Sequence, residues 1–185
     1  MRLFTGLEIS PAVLDRMDAL LKRLKPTARI QWSPIANLHI TTKFIGEWPE
    51  DKLAELIQTL SAVPRTGSIP IRIGGLGFFP NAKSPRVFWA GVHAPSMLTT
   101  LAGETDLALD GLGIAAENRA YSPHLTLGRI KNAEPLNALR DAIQSSDPTD
   151  FGSFEATCFH LYRSKPGPSG SVYSTLATFP LDVPQ

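Results

Sequence analysis

The chain is poor in three things that usually direct a first reading: cysteine, surplus charge and long apolar runs. One cysteine, Cys158, stands among 185 residues. No disulfide can form within the chain, and this usage suits a reducing compartment, so a cytoplasmic location is expected. Eighteen Lys and Arg against seventeen Asp and Glu leave a net charge of +1. A protein that wraps a long nucleic acid needs a basic surplus, so the balance argues against that class; gripping one or two phosphates stays open. No run approaches the ~18 apolar residues of a membrane span. The opening Met1-Arg2-Leu3-Phe4-Thr5-Gly6-Leu7-Glu8 meets a carboxylate before a signal-peptide core of roughly 7–15 apolar residues could form. A soluble, untargeted protein is expected. The Gly-rich pattern of a phosphate-binding P-loop is also missing, which argues against an intrinsic NTPase.

What is there is a hydrophobic fraction of 43% and a length somewhat above the ~150-residue domain prior, enough for a sizeable core. Strand-like and helix-like segments alternate, with Pro and Gly at the joins. Arg2 to Ile9 reads as a strand. Ser10-Pro11 then offers an N-cap and an N1 proline to a helix carrying Leu14, Met17, Leu21 and Leu24, ending near Pro26. An extended piece from Arg29 to Trp32 precedes a strand from Leu38 to Ile45. A second helix shows Leu53, Leu56, Ile57 and Leu60 on one face. Ile69 to Ile73 with Phe78-Phe79, and Val87 to Val92, read as a hairpin around the turn-rich Pro80 to Pro85. Pro95 opens a third helix running to about Gly111. A strand follows at Leu125 to Ile130, then a fourth helix marked by Leu136, Leu139 and Ile143. Two last strands are expected at Phe154 to Arg163 and Val172 to Phe179, with Ser164 to Ser171 as their loop. No low-complexity linker divides the chain. The pattern predicts an α+β or α/β fold and one folding unit over residues 1–185.

Two strand segments repeat one another 85 positions apart: Asn37-Leu38-His39-Ile40-Thr41-Thr42 and Ser122-Pro123-His124-Leu125-Thr126-Leu127. Four histidines and fourteen threonines predict roughly 0.3 chance occurrences of His-x-Thr, yet two of the four histidines have one. Side chains alternate along a strand, so His39 and Thr41 share one face while Leu38 and Ile40 take the other. His124 and Thr126 repeat this against Leu125 and Leu127. Such a set suits metal-free phosphoryl transfer to water. A neutral imidazole accepts a proton from the attacking water, a protonated one donates to the leaving oxygen, and the hydroxyls bind non-bridging phosphate oxygens. Structural histidines are the plain alternative. Metal binding is another, although Thr is a poor ligand and no Cys/His/Asp cluster of zinc-like spacing accompanies either motif.

At these residues the chain resembles the RNA 2′,3′-cyclic phosphodiesterases of the 2′-5′ RNA ligase family, within the two-histidine (2H) phosphoesterase superfamily. The likeness runs through Arg2-Leu3-Phe4, Asn37 to Thr41 with Lys43 to Gly46, Gly77 to Asn81, Pro123 to Leu127 with Arg129, and Leu161 to Ser164 with Tyr173. It implies an α+β fold of two pseudo-symmetric lobes of antiparallel sheet, helices outside, around a central cleft. It further implies opening of an RNA-terminal 2′,3′-cyclic phosphate to a 2′-phosphate. His39 would be the proton donor to the departing 3′ oxygen, His124 the base on water, and Thr41, Thr126 and Arg129 the phosphate binders, with neither cofactor nor metal.

Strict alternation qualifies three residues that the resemblance brings forward. It turns Arg129 away from His124: either the strand bends or ends after Leu127, or Arg129 is a surface or ion-pair residue. It likewise turns Phe44, a base-stacking platform or a core residue, away from His39. Lys43 falls on the His39 face, as a cleft cation or a solvated one. Tyr121, Phe79 and Arg163 are lesser candidates, and His93 and His160, without Thr at the second position on, read as structural or surface. The expected partners are RNA ends or nucleotide cyclic phosphates, with no membrane and a monomeric state. Competing functions are a catalytically silent RNA-end binding module, action on a nucleotide cyclic phosphate, 2′-5′ joining of RNA ends, and a metal hydrolase.

Overall fold

The computed structural model describes residues 1–131, 135–145, 149–167 and 170–182. Strand β1 (Arg2–Glu8) leads into helix α1 (Pro11–Leu24). Ser10 holds the extended N-cap conformation that the Ser-Pro pair predicts, but its hydroxyl makes no capping bond; its carbonyl receives the Val13 and Leu14 N–H groups instead. Helix α1 buries Val13, Met17, Leu20, Leu21 and Leu24. It closes just ahead of Pro26, which has no N–H to donate.

The short strand β2 (Gln31–Trp32), β3 (His39–Glu47) and helix α2 (Leu53–Ser61) follow. Next come β4 (Ile69–Phe79), β5 (Val87–His93), helix α3 (Ser96–Asp110), β6 (His124–Arg129) and helix α4 (Asn137–Gln144). The chain ends in β7 (Asp150–Ala156), β8 (Cys158–Gly167) and β9 (Gly170–Pro180).

The strands form one nine-stranded sheet in the order β7-β4-β5-β6-β3-β1-β8-β9, with β2 added beside β6. Every pairing along it is antiparallel. The order divides into two four-strand halves that meet where β6 touches β3, through the pair of Ile40 with Leu125. Each half therefore puts its His-x-Thr strand at the seam. Helices α1 and α4 pack together with β7 in one half, and α2 and α3 pack together against β9 and β3 in the other. This is the α+β, two-lobed arrangement that the resemblance implies.

Two expectations for the C-terminal region need correction. The stretch Phe154 to Arg163 is not one strand: the chain breaks at Thr157, so that β7 pairs with β4 and β8 with β1, in opposite halves of the sheet. Side-chain alternation cannot show a change of pairing partner, which is decided by strands far away in sequence. Ser164 to Ser171 is not an open loop either. Pairing of β8 with β9 continues to Gly167 opposite Gly170, and only residues 168–169 of that stretch lie outside the described residues.

Candidate active site

Ile40 and Leu125 are fully buried and belong to the common hydrophobic core. Their neighbours His39, Thr41, His124 and Thr126 point to the opposite face by strand alternation. Because Ile40 and Leu125 are themselves a cross-strand pair, the four polar groups flank a single point where the halves join.

Beyond the motifs, both strands break alternation at the same place. In the β1–β3 ladder Gly6 pairs with Thr41 and Thr5 with Lys43, so Thr42 is an extra residue on β3. In the β5–β6 ladder Trp89 pairs with Thr126 and Phe88 with Gly128, so Leu127 is an extra residue on β6. Each bulge sits three residues after its histidine and reverses the facing of the residues beyond it. Phe44, opposite Phe4, consequently returns to the His39 face, and Arg129, opposite Val87, returns to the His124 face. Lys43 turns away. Its side chain is 5% exposed, pairs with Asp106 on α3 and donates to the Ala115 carbonyl at 2.7 Å. Lys43 still borders the cleft cavity, but as a paired cation and not a free one, while Phe44, 57% exposed, stands open on the cleft side.

The two histidines are held in like fashion. His39 Nδ1–H donates to the Asn37 carbonyl at 2.7 Å, and His124 Nδ1–H donates to the Ser122 carbonyl at 2.8 Å. A carbonyl only accepts, so in each neutral ring the lone pair lies on Nε2. The Thr41 hydroxyl lies 2.9 Å from His39 Nε2 and donates to it while that ring is neutral. Each ring also rests against an aromatic: Phe4 at 4.6 Å from His39, and Phe79 at 5.0 Å from His124. Tyr162 and Tyr173 pack on Phe4 at 5.1 and 4.9 Å, making an aromatic wall behind His39.

Burial lowers the His39 pKa below its ordinary value, and the nearby charges of Arg129 and His124 push in the same direction against the bond to Asn37. The electrostatic effect of Arg129 on His39 accords with its restored facing. Asp106 is also held low: burial, which alone would raise it, is outweighed by hydrogen bonds from Lys43 and the Glu117 N–H and by the Lys43 charge.

A cavity of about 930 Å³ opens beside the seam, lined by Thr41, Phe44, Phe79, Arg86, Arg119, Tyr121 and His124, with the Lys43–Asp106 pair also on its wall. The Tyr121 hydroxyl donates to the Thr41 backbone carbonyl at 2.8 Å, crossing from one half to the other. Arg86 and Arg119 were missed as site residues in the sequence: Arg86 stands far from either His-x-Thr motif, and Arg119, five residues before His124, lies outside the strand whose alternation could have given its facing. Arg163 lies in an ion pair with Glu50 at 3.8 Å. His160 is buried with Thr178 and Cys158 as partners, and His93 lies 3.1 Å from the Gly74 carbonyl. Among the described residues, no three His, Cys, Asp or Glu side chains gather as metal ligands.

The model of the LigT-like phosphoesterase family matches twice, over residues 7–89 and 92–173, one match around each His-x-Thr strand. The chain belongs to the LigT-like phosphoesterases. Within this family it is 36% identical over 177 residues to a protein of Methanocaldococcus jannaschii named RNA 2′,3′-cyclic phosphodiesterase, covering 95% of this chain and 98% of the other. A protein of the same name from Archaeoglobus fulgidus is 35% identical over 179 residues, covering 97% and 99%. A crystal structure from Thermus thermophilus superposes with a TM-score of 0.79 at 28% identity, covering 98% of each chain. The LigT-like fold is also seen in Escherichia coli LigT complexed with 3′-AMP, at a TM-score of 0.78 and 22% identity over 97% of each chain. No helix among the described residues is long and apolar enough to cross a membrane.

Proposed function

We propose that this LigT-like phosphoesterase hydrolyses the 2′,3′-cyclic phosphate at an RNA end to a 2′-phosphate, without a metal. The observation that carries the reading is the mirrored pair of His-x-Thr segments about the Ile40–Leu125 bridge, each histidine tied through Nδ1 to the carbonyl two residues before it. The names of the archaeal relatives supply the substrate class.

In this reading His124 Nε2 takes a proton from water as the water oxygen bonds to phosphorus. The bond from phosphorus to the 3′ oxygen breaks, and His39, protonated at Nε2, gives its proton to that oxygen. Thr41 and Thr126 hydroxyls donate to the non-bridging oxygens, and the Arg129 guanidinium adds a charged donor. The lowered His39 pKa of the free protein opposes its service as an acid. A bound phosphate anion supplies the opposite charge and favours the imidazolium, so the acid forms where the substrate is. Phe44 offers a stacking face for the base. Residues 1–185 would act as one bilobal unit and as a monomer in the cytoplasm, with RNA ends as partner.

The deciding experiment incubates an RNA oligonucleotide ending in a 2′,3′-cyclic phosphate with the protein in EDTA and identifies the position of the product phosphate. Ring opening to a 2′-phosphate is expected. His39→Ala and His124→Ala should each lower turnover by about 10²–10⁴-fold while remaining folded. An intact ring, or dependence on added metal, would refute the reading.

A further inference from the structure

Beside the cleft lies a second cavity of about 630 Å³, walled in part by Lys83 and Arg86 from the β4–β5 connection, Lys131 after β6, and Arg140 on α4. We propose that it seats a backbone phosphodiester of the RNA strand on the 5′ side of the reacting end. This rests on the cyclic phosphodiesterase reading and narrows its substrate to an oligonucleotide.

Four cations meet here from three segments, and no carboxylate stands among the described residues that line the cavity. In a chain of net charge +1 such a cluster is not the by-product of a basic surface. It is also continuous with the active site, because Arg86 borders both cavities. The Arg86 backbone is pinned on both sides, its N–H donating to the Phe79 carbonyl at 2.6 Å and its carbonyl accepting from the Ile130 N–H at 2.9 Å. The backbone from which its exposed side chain springs is thus fixed between the two hollows.

The loop that presents Lys83 is ordered as well. Asn81 Oδ1 accepts the N–H groups of Lys83 and Ser84 at 3.0 Å each, and Arg140 donates to the Ala82 carbonyl. A preformed group of cations drawn from three segments suits a phosphodiester monoanion, whose charge is the same whatever the base. A strand whose 3′ end occupies the cleft must leave it on its 5′ side, and the wall at Arg86 is where cationic surface continues.

The test uses the Lys83→Gln/Lys131→Gln double variant, which leaves the cleft residues untouched. Wild type and variant are compared on a mononucleoside 2′,3′-cyclic phosphate and on an oligonucleotide with the same end. The variant should lose roughly tenfold in kcat/KM on the oligonucleotide and stay within about twofold on the mononucleotide. The salt dependence for the oligonucleotide should flatten by ~0.7 in log–log slope per phosphate contact removed. Equal losses on both substrates, or none on the oligonucleotide, would overturn the proposal. If wild type opens neither ring, the functional reading fails by itself. Fluorescence anisotropy with an oligonucleotide bearing a 3′-phosphate then decides: weaker binding by the variant upholds the cavity's role, and equal binding removes it.

Discussion

Phe44 and Arg129 are counterparts: each stands five residues beyond its motif histidine, and each shares that histidine's strand face because one bulged residue, Thr42 or Leu127, intervenes. The duplicated strands thus share an arrangement but differ in chemistry at this position, an aromatic face on one side and a guanidinium on the other. If Arg129 binds the phosphate, Arg129→Gln removes a charged hydrogen bond of about 1.5–3 kcal/mol, or roughly 10–150-fold in kcat/KM. Arg129→Lys should recover part of this, since it keeps the charge but not the planar fork. Unchanged kinetics in Arg129→Gln would detach the residue from the phosphate.

The His39 titration tests the electrostatics of the seam. In the free protein its pKa is expected below the ordinary value of about 6.5, chiefly through burial and further through the Arg129 and His124 charges. The unfolded chain then takes up this proton first, so stability falls as pH drops from about 6.5 toward the folded pKa and is unaffected above that window. Adding inorganic phosphate, or making Arg129→Gln, should raise the value. NMR titration of the imidazole resonances measures all three, and a free-protein pKa at or above 6.5 would contradict the burial at the seam.

Lys43 is expected to hold the fold and not the substrate. Lys43→Met strands the Asp106 carboxylate, at a cost of about 2–3 kcal/mol, below the ~3–5 of a fully buried pair because the Asp106 side chain stays 22% exposed. Denaturant midpoints should show the loss, and a Lys43→Met/Asp106→Leu double variant should regain much of it. KM should move little. Since the Asp106 pKa is lowered, the pair's contribution is present above about pH 4 and is lost as pH falls below the ordinary carboxylate value toward the folded one.

Gly6 sits opposite Thr41, and a Cβ there would lie 2.6 Å from the Ile40 carbonyl oxygen, a backbone atom that cannot swing aside. Gly6→Ala should therefore shift the β3 backbone between His39 and Thr41, costing about 1–3 kcal/mol in stability and lowering turnover with it. Wild-type stability and rate in that variant would show that the strand has slack.

How much the residues alone conveyed can be seen strand by strand. The His-x-Thr segments, their shared facing and the helix over Pro11–Leu24 follow from local rules, because alternation and helix-breaking proline act over a few residues. Strict alternation failed at Lys43, Phe44 and Arg129 for one reason: a bulge is a property of a ladder, and Thr42 and Leu127 become extra residues only when counted against β1 and β5. The break at Thr157 has the same origin, since β7 and β8 take partners in opposite halves. The sequence by itself determined which residue types could carry acid, base and phosphate binding, and that each motif histidine shares a strand face with its threonine. Only the tertiary structure decided that the two histidines flank one Ile40–Leu125 contact, that Phe44 and Arg129 share the histidines' strand faces while Lys43 is paired with Asp106, and that Arg86 connects the cleft to a cationic hollow. Those relations are set by pairing and packing between segments 85 residues apart or more widely mixed, where no local periodicity reaches.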